Sequence, residues 1–165
     1  MLLDLSELKR QIMSITTLKA GDKAPSFKTT NQDGKVISLD GLKGKKVVLY
    51  FYPKDSTPGC TMQACNLRDN YEALQKANYV VLGVSADTEK LHKRFIEKQS
   101  IPFDLLMDEN KTIIKAYGVW GLKKFMGREF DGIHRTTFLI DEEGVIEEVI
   151  MKVKTKDHTN QILKQ

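Results

Sequence analysis

The sequence predicts an α/β domain in which a mixed central sheet is flanked by helices and preceded by a β-hairpin. Three observations carry this expectation. Two continuous apolar, β-branched runs, "KVVLYFY" (Lys46–Tyr52) and "YVVLGVS" (Tyr79–Ser85), are each followed by a stretch of helical period, the pattern of parallel strands covered on both faces. Near the C-terminus, "TTFLI" and "VIEEVIM" flank the turn "DEEG", which adds antiparallel strands to the same sheet. The chain has 165 residues, 41% hydrophobic and 29% charged, enough for one core and too few for two domains of ordinary size.

Taken in order, residues 1–17 are expected to form an N-terminal extension, helical or disordered, and residues 18–165 a single domain. Leu2, Leu5, Leu8 and Ile12 could line one side of a short helix; alternatively Met13 is the start and the residues before it are frayed. Asp4 and Glu7 interrupt the apolar run and no small-residue cleavage site follows, so no export signal is read and the expected compartment is a reducing cytoplasm. "SFKTT" and "VISL" around the turn signal "NQDGK" predict the hairpin. After the first apolar strand comes a loop with Pro53, Pro58 and Gly59. Thr57 reads as an N-cap and Pro58 as the first helical residue. Leu67, Tyr71 and Leu74 then recur at i, i+4, i+7. Past the second strand, Asp87 is expected to cap a helix with Glu89 in its first turn and Leu91 and Phe95 on its inner side. "FDLLMD" (Phe103–Asp108) reads as a third strand, residues 110–132 show no assignable period, and a last helix is expected over His158–Leu163. A β-α-β half joined to a β-β-α half is the thioredoxin arrangement, and right-handed crossovers leave few other ways to wind it.

Several function classes drop out. The net charge is 26 − 22 = +4, and the densest basic clusters, "LKGKK" and "KVKTK", are short and lack interleaved aromatics, so nucleic-acid binding is not expected. No segment approaches the ~18 consecutive apolar residues of a membrane span. The three histidines, His92, His134 and His158, lack ligand-like spacing and read as surface or packing residues, so no metal site is expected.

The chemistry-bearing residues are the two cysteines, Cys60 and Cys65. A loop after a central strand opens at the carboxyl end of the sheet, where open α/β folds place their ligand sites. The lead-in "TPGC" puts Cys60 in the first turn of a helix, where unpaired N–H groups and the helix dipole favour the reactive thiolate. In an ideal helix, Cα atoms five residues apart lie ~8.7 Å from each other, beyond the ~4.4–6.8 Å of a disulfide. Pairing Cys60 with Cys65 therefore requires the first helical turns to unwind. A structural disulfide closing so small a loop would constrain little of the unfolded chain. The i+5 spacing argues against a thioredoxin-like disulfide oxidoreductase. The alternative of two inert buried cysteines fits poorly with a sulfur placed at a helix N-terminus. A redox role is favoured over an inert pair, and helix placement alone gives Cys60 no preference among oxidants.

"PKDSTPGC" spells P-x-x-x-T-x-x-C from Pro53 to Cys60 and resembles the peroxidatic loop of peroxiredoxins. With "FYPKD" before it and Cys65 after it, the chain is similar to the bacterioferritin-comigratory-protein branch, peroxiredoxin Q. "GVS", "AYGVWG" and "RTTFLIDEEG" fall where that branch has similar stretches, and the likeness runs from about Leu18 to the C-terminus. The resemblance implies a thiol peroxidase acting on hydrogen peroxide or organic hydroperoxides, recycled by thioredoxin, with no metal or organic cofactor, and a monomer. It implies Cys60 as the peroxidatic and Cys65 as the resolving cysteine. Thr57 would offer its hydroxyl to peroxide and thiolate, Pro53 would shield the pocket, the N–H groups of Gly59 and Cys60 would hold the peroxide, and Arg135 would be the active-site arginine. One departure stands out: many relatives carry "TEAC" where this chain has "MQAC", so Gln63 replaces a glutamate and removes its charge.

Overall fold

The computed structural model describes residues 16–164, so the helical or frayed readings of the first residues lie outside it. In chain order, a hairpin of β1 (Lys28–Thr30) and β2 (Val36–Ser38) leads to β3 (Lys46–Phe51), α1 (Pro58–Asp69) and α2 (Tyr71–Lys76). Then come β4 (Tyr79–Ser85), α3 (Glu89–Gln99), β5 (Asp104–Met107) and α4 (Thr112–Ala116). A second hairpin, β6 (Trp120–Phe125) and β7 (Arg128–Ile133), precedes β8 (Thr136–Ile140), β9 (Ile146–Ile150) and α5 (His158–Leu163). The main sheet has the order β5-β4-β3-β8-β9. Strands β3, β4 and β5 run parallel, whereas β8 pairs antiparallel with β3 and β9 antiparallel with β8. This is the mixed sheet of the thioredoxin arrangement that the element order predicts.

β3 lies at the centre and is apolar throughout because both of its faces are covered. Val47, Leu49 and Phe51 enter one apolar cluster with Tyr117 and Phe138, while Val48, Tyr50 and Tyr52 enter another with Leu67, Leu74 and Phe95. Cys60 belongs to the second cluster, beneath α1. The i, i+4, i+7 series of Leu67, Tyr71 and Leu74 holds across a break at Asn70, where φ −115° and ψ 15° separate α1 from α2.

Two details differ from the sequence expectation. Thr88, not Asp87, caps α3: its hydroxyl oxygen accepts the Leu91 N–H at 3.3 Å. The Asp87 carboxylate turns inward to Ser85 and to the backbone of Asp55. The unassigned stretch contains α4 and the β6–β7 hairpin, whose two-residue turn has positive φ at both Met126 and Gly127. The hairpin stands largely in solvent, with Phe125 66% and Met126 87% exposed, so its strands lack the apolar alternation that would have revealed them. The described chain is tied in from Thr16 onward, whose hydroxyl donates to the Tyr117 carbonyl at 2.8 Å.

Candidate active site

β3 ends at Phe51, and the chain crosses the carboxyl edge of the sheet through Tyr52–Thr57 before entering α1. Ser56 takes a left-handed conformation, φ 62°, a bend that costs a non-glycine residue about 1 kcal/mol. Pro58 opens the helix and the first intrahelical bond runs from the Thr61 N–H to the Thr57 carbonyl at 2.8 Å. Helix geometry leaves the Gly59 and Cys60 N–H groups without intrahelical acceptors. Cys60 sits in that first turn and is buried, 2% exposed.

Arg135, at the entrance to β8, reaches the same point from 75 residues away. Its Nη2 donates to the Cys60 Sγ at 3.3 Å and its Nη1 to Gln63 Oε1 at 2.6 Å. A cation, a helix N-terminus and a thiol therefore converge, an arrangement that stabilises a thiolate and any anion formed beside it. Gly59 lies against the same guanidinium: a Cβ there would come within 3.2 Å of Nη2. Pro53 is half-buried in the preceding loop.

Thr57 occupies the N-cap position with extended backbone, but its side chain makes no capping bond. Its hydroxyl donates instead to the Lys54 carbonyl at 2.8 Å. With the proton committed there, Thr57 has lone pairs to offer an incoming hydroxyl, and it caps nothing. The expectation of a capping side chain is corrected on this point, because the tight loop brings the Lys54 carbonyl closer than the helix N–H groups.

Cys65 lies on the same intact helix, five positions on, and faces elsewhere. Its Sγ donates to Gln99 Oε1 at 3.5 Å at the C-terminal end of α3. Both cysteines are free thiols, and the uninterrupted α1 keeps them apart as helix geometry requires. One residue beyond Cys65 the helix is locked: the Asn66 Oδ1 accepts from the N–H and the hydroxyl of Thr159, both at 2.8 Å, on α5. Unwinding that joins the two sulfurs can be confined to the turns before Asn66.

Gln63 is fully buried and its Nε2 has no hydrogen-bond partner among the described residues, at a cost of about 1–3 kcal/mol. Its neutral amide holds Arg135 in place without cancelling the guanidinium charge, which remains whole beside Cys60. Gln63→Glu is expected to share that charge and slow alkylation of Cys60 by iodoacetamide several-fold at neutral pH. An unchanged alkylation rate would show that the charge at position 63 does not reach the thiol.

Sequence reasoning missed two groups here. Lys123 on β6 is half-buried, with Nζ donating to the Ile133 carbonyl at 2.9 Å. Its pKa is lowered by burial and then by the charge of Arg135, with Cys60 acting in the opposite sense. It lay in the unassigned stretch, with no periodicity to place it. His92, read as a surface or packing residue, is packed in the interior, fully buried, and its bond to Asp55 is what the sequence did not reveal. Asp55, Asp87 and His92 bring three ligand-capable atoms within 4.8 Å of one another. Their hydrogen bonds to each other and to Tyr52, Ser85 and Leu106 engage both His92 nitrogens, both Asp55 carboxylate oxygens and Asp87 Oδ2. His134 and His158 lie apart from this group, bonded to the Leu122 carbonyl and to Thr137 and Gln161.

Residues 20–149 match the AhpC/TSA family. The chain is 50% identical over 147 residues to a putative peroxiredoxin bcp of Coxiella burnetii, covering 89% of this chain and 97% of that protein. It is likewise 50% identical over 146 residues to peroxiredoxin Bcp of Escherichia coli K12, covering 88% and 94% of the two chains. Among solved structures, a cysteine-to-serine mutant of Xylella fastidiosa PrxQ superposes with TM-score 0.84 at 30% identity, over 90% of this chain and 95% of that one. The Xanthomonas campestris bacterioferritin comigratory protein, solved in work on its alkyl peroxide reduction activity, gives TM-score 0.78 at 34% identity, over 84% and 88%.

Proposed function

The chain belongs to the AhpC/TSA family and is a thiol peroxidase, and within that activity we propose that Cys60 is the peroxidatic cysteine and Cys65 the resolving one. The observation that carries this assignment is the 3.3 Å contact from Arg135 Nη2 to the Cys60 sulfur at a helix N-terminus. Among the described residues no cation hydrogen-bonds the Cys65 sulfur, which is bonded to a neutral amide, while the nearby Arg68 is engaged by Asp69 and the Gln99 carbonyl.

In the first step the Cys60 thiolate attacks one oxygen of a hydrogen peroxide or organic hydroperoxide. The S–O bond forms as the O–O bond breaks, sulfur is oxidised to a sulfenic acid, and the leaving oxygen departs as hydroxide or alkoxide and takes a proton to become water or alcohol. Arg135 and the N–H groups of Gly59 and Cys60 donate toward the charge that develops on the leaving oxygen. The Thr57 oxygen accepts the peroxide's O–H and orients it, and Pro53 limits water at the sulfur. The turns from Pro58 to Cys65 then unwind, the Cys65 thiol condenses with the sulfenic acid, and a disulfide and water result. A dithiol protein of the thioredoxin type returns both thiols by exchange. Because both cysteines lie on one helix, resolution needs no second subunit, which fits a monomer. A cycle that begins from two reduced thiols fits a reducing compartment such as the cytoplasm. Among the described residues, no helix is long and apolar enough to cross a membrane.

Titration of free thiols after one equivalent of hydrogen peroxide tests the reading. Loss of both thiols with formation of one intramolecular disulfide is the expected result, and survival of both in folded protein would overturn it. Cys65→Ser should still react once and hold a sulfenic acid that dimedone labels at Cys60. Full steady-state turnover of Cys65→Ser with thioredoxin would remove the intramolecular resolving role. A peroxide sensor would oxidise in the same way but turn over poorly with thioredoxin and its reductase.

A further inference from the structure

We propose that Asp55 and His92 form a buried carboxylate–imidazolium clasp that fixes the loop Tyr52–Thr57, and so sets how Cys60 divides between reacting with peroxide and unwinding to meet Cys65. The proposal rests on the peroxidase reading above. His92 projects from α3 into the protein with no exposed surface. Its Nδ1 lies 2.6 Å from Asp55 Oδ2 and its Nε2 lies 3.0 Å from the Leu106 carbonyl oxygen. A carboxylate and a carbonyl are both acceptors, so both ring nitrogens must donate and the ring carries its second proton. Burial works against that charge, but the hydrogen bond and charge of Asp55, the Leu106 carbonyl and the Asp87 carboxylate outweigh it, and the His92 pKa is raised.

Asp55 is held on every side. Its second carboxylate oxygen accepts the Tyr52 hydroxyl at 2.5 Å, and its backbone N–H donates to Asp87 Oδ2 at 2.9 Å. That Asp87 oxygen also accepts the Ser85 hydroxyl at 2.6 Å. The loop is thereby tied to α3 through His92, to β5 through His92 and Leu106, and to the end of β4 through Asp87. Ser56, the residue after the clasp, carries the left-handed bend, and Thr57 follows it. Held at Asp55, the bend is maintained and delivers Thr57 and Pro53 toward Cys60. Released, the bend can relax and the first turn of α1 loses its fixed entry. Neither Asp55 nor His92 touches the sulfur, so both are positioning residues.

The titratable groups facing His92 are Asp55 and Tyr52 from the loop and Asp87 from the β4–α3 turn, and β5 contributes only a carbonyl. A raised histidine pKa means the doubly protonated clasp is complete below about pH 6.5 and weakens as pH rises through the raised value, where the ring loses its charge and one of its two N–H donors.

The test measures two quantities: the rate of sulfenic acid formation at Cys60, and its partition under excess hydrogen peroxide. A sulfenic acid that meets Cys65 gives disulfide and water, whereas one that meets a second peroxide gives sulfinic acid and water. Mass spectrometry counts both products. His92→Leu and Asp55→Asn are each expected to slow sulfenic acid formation about tenfold or more, and to lower the sulfinic-to-disulfide ratio several-fold. The double variant Asp55→Ala with His92→Leu leaves neither charge unpaired, so its melting temperature should recover in part, short of wild type because the Tyr52 hydroxyl and Leu106 carbonyl lose their partners, while its partition stays altered. In the wild type, the shift toward disulfide as pH rises above about 6.5 should be steeper than in the double variant, which lacks the imidazole. A wild-type partition in single variants that stay folded, or its restoration in the double variant, would overturn the clasp. If the wild type forms no sulfenic acid at Cys60, the peroxidase reading itself fails. Normal wild-type chemistry with unaltered variants fails the clasp alone.

Discussion

Replacing Cys60 with serine is expected to abolish peroxide consumption, leaving the rate seen without protein. A serine hydroxyl in the same place is not ionised near neutral pH, so the nucleophile is removed while the donors around it stay. Cys65 cannot take over. It is half-buried and bonded to Gln99 at 3.5 Å, and among the described residues no cation hydrogen-bonds its sulfur, since the nearby Arg68 is engaged by Asp69 and the Gln99 carbonyl. The variant should fold normally, since sulfur-to-oxygen replacement keeps the volume of a side chain that Arg135 Nη2 already approaches as a donor. A peroxide assay coupled to thioredoxin and its reductase, with melting temperature measured in parallel, checks this. Appreciable turnover in folded Cys60→Ser, with Cys65 recovered oxidised, would reverse the assignment of the two cysteines.

How much of this was legible in the sequence depended on how local the determining physics is. β4 spans Tyr79–Ser85 and α5 spans His158–Leu163, the residues their patterns indicated, because a doubly covered strand and an amphipathic turn write themselves into neighbouring residues. The "TPGC" lead-in was equally local: proline at the first helical position and a thiol two residues later need no partner elsewhere. The β6–β7 hairpin was not legible, because strands largely exposed to water bury too little of either face to leave an alternation. Asp87 looked like the cap of α3 until the fold brought it to the Asp55 backbone, which lies 32 residues away in sequence. His92 and Asp55 are 37 residues apart, and nothing near either one announces the other. The contact between Arg135 and Cys60 spans 75 residues. Only the family resemblance joined those two beforehand, whereas the strand order β4-β3-β8 explains it physically: β8 lies beside β3, so the start of β8 meets the loop that follows β3.

That adjacency makes Arg135→Ala the second large expected effect, a fall of about 10²–10³ in the rate constant for peroxide reaction. Phe51, the last residue of β3, pairs with Thr136, the first of β8, so the arginine is delivered by sheet register and needs no flexible reach. Removing it costs twice over. Among the described residues the Cys60 sulfur loses the side-chain donor it has, and Gln63 Oε1 joins its own Nε2 as a buried atom without a partner. The second loss bears on stability and the first on chemistry, and Arg135→Lys separates them. A lysine keeps the positive charge but cannot reach sulfur and amide together with a planar fork. It should therefore recover part of the peroxide rate while leaving the Gln63 bond, and the melting temperature, incompletely restored. Stopped-flow measurement of Cys60 oxidation in a Cys65→Ser background isolates the first step from the unwinding that follows. Equal rates for wild type and Arg135→Ala in that background would mean that the helix N-terminus alone activates the thiol, and that Arg135 serves only to hold Gln63.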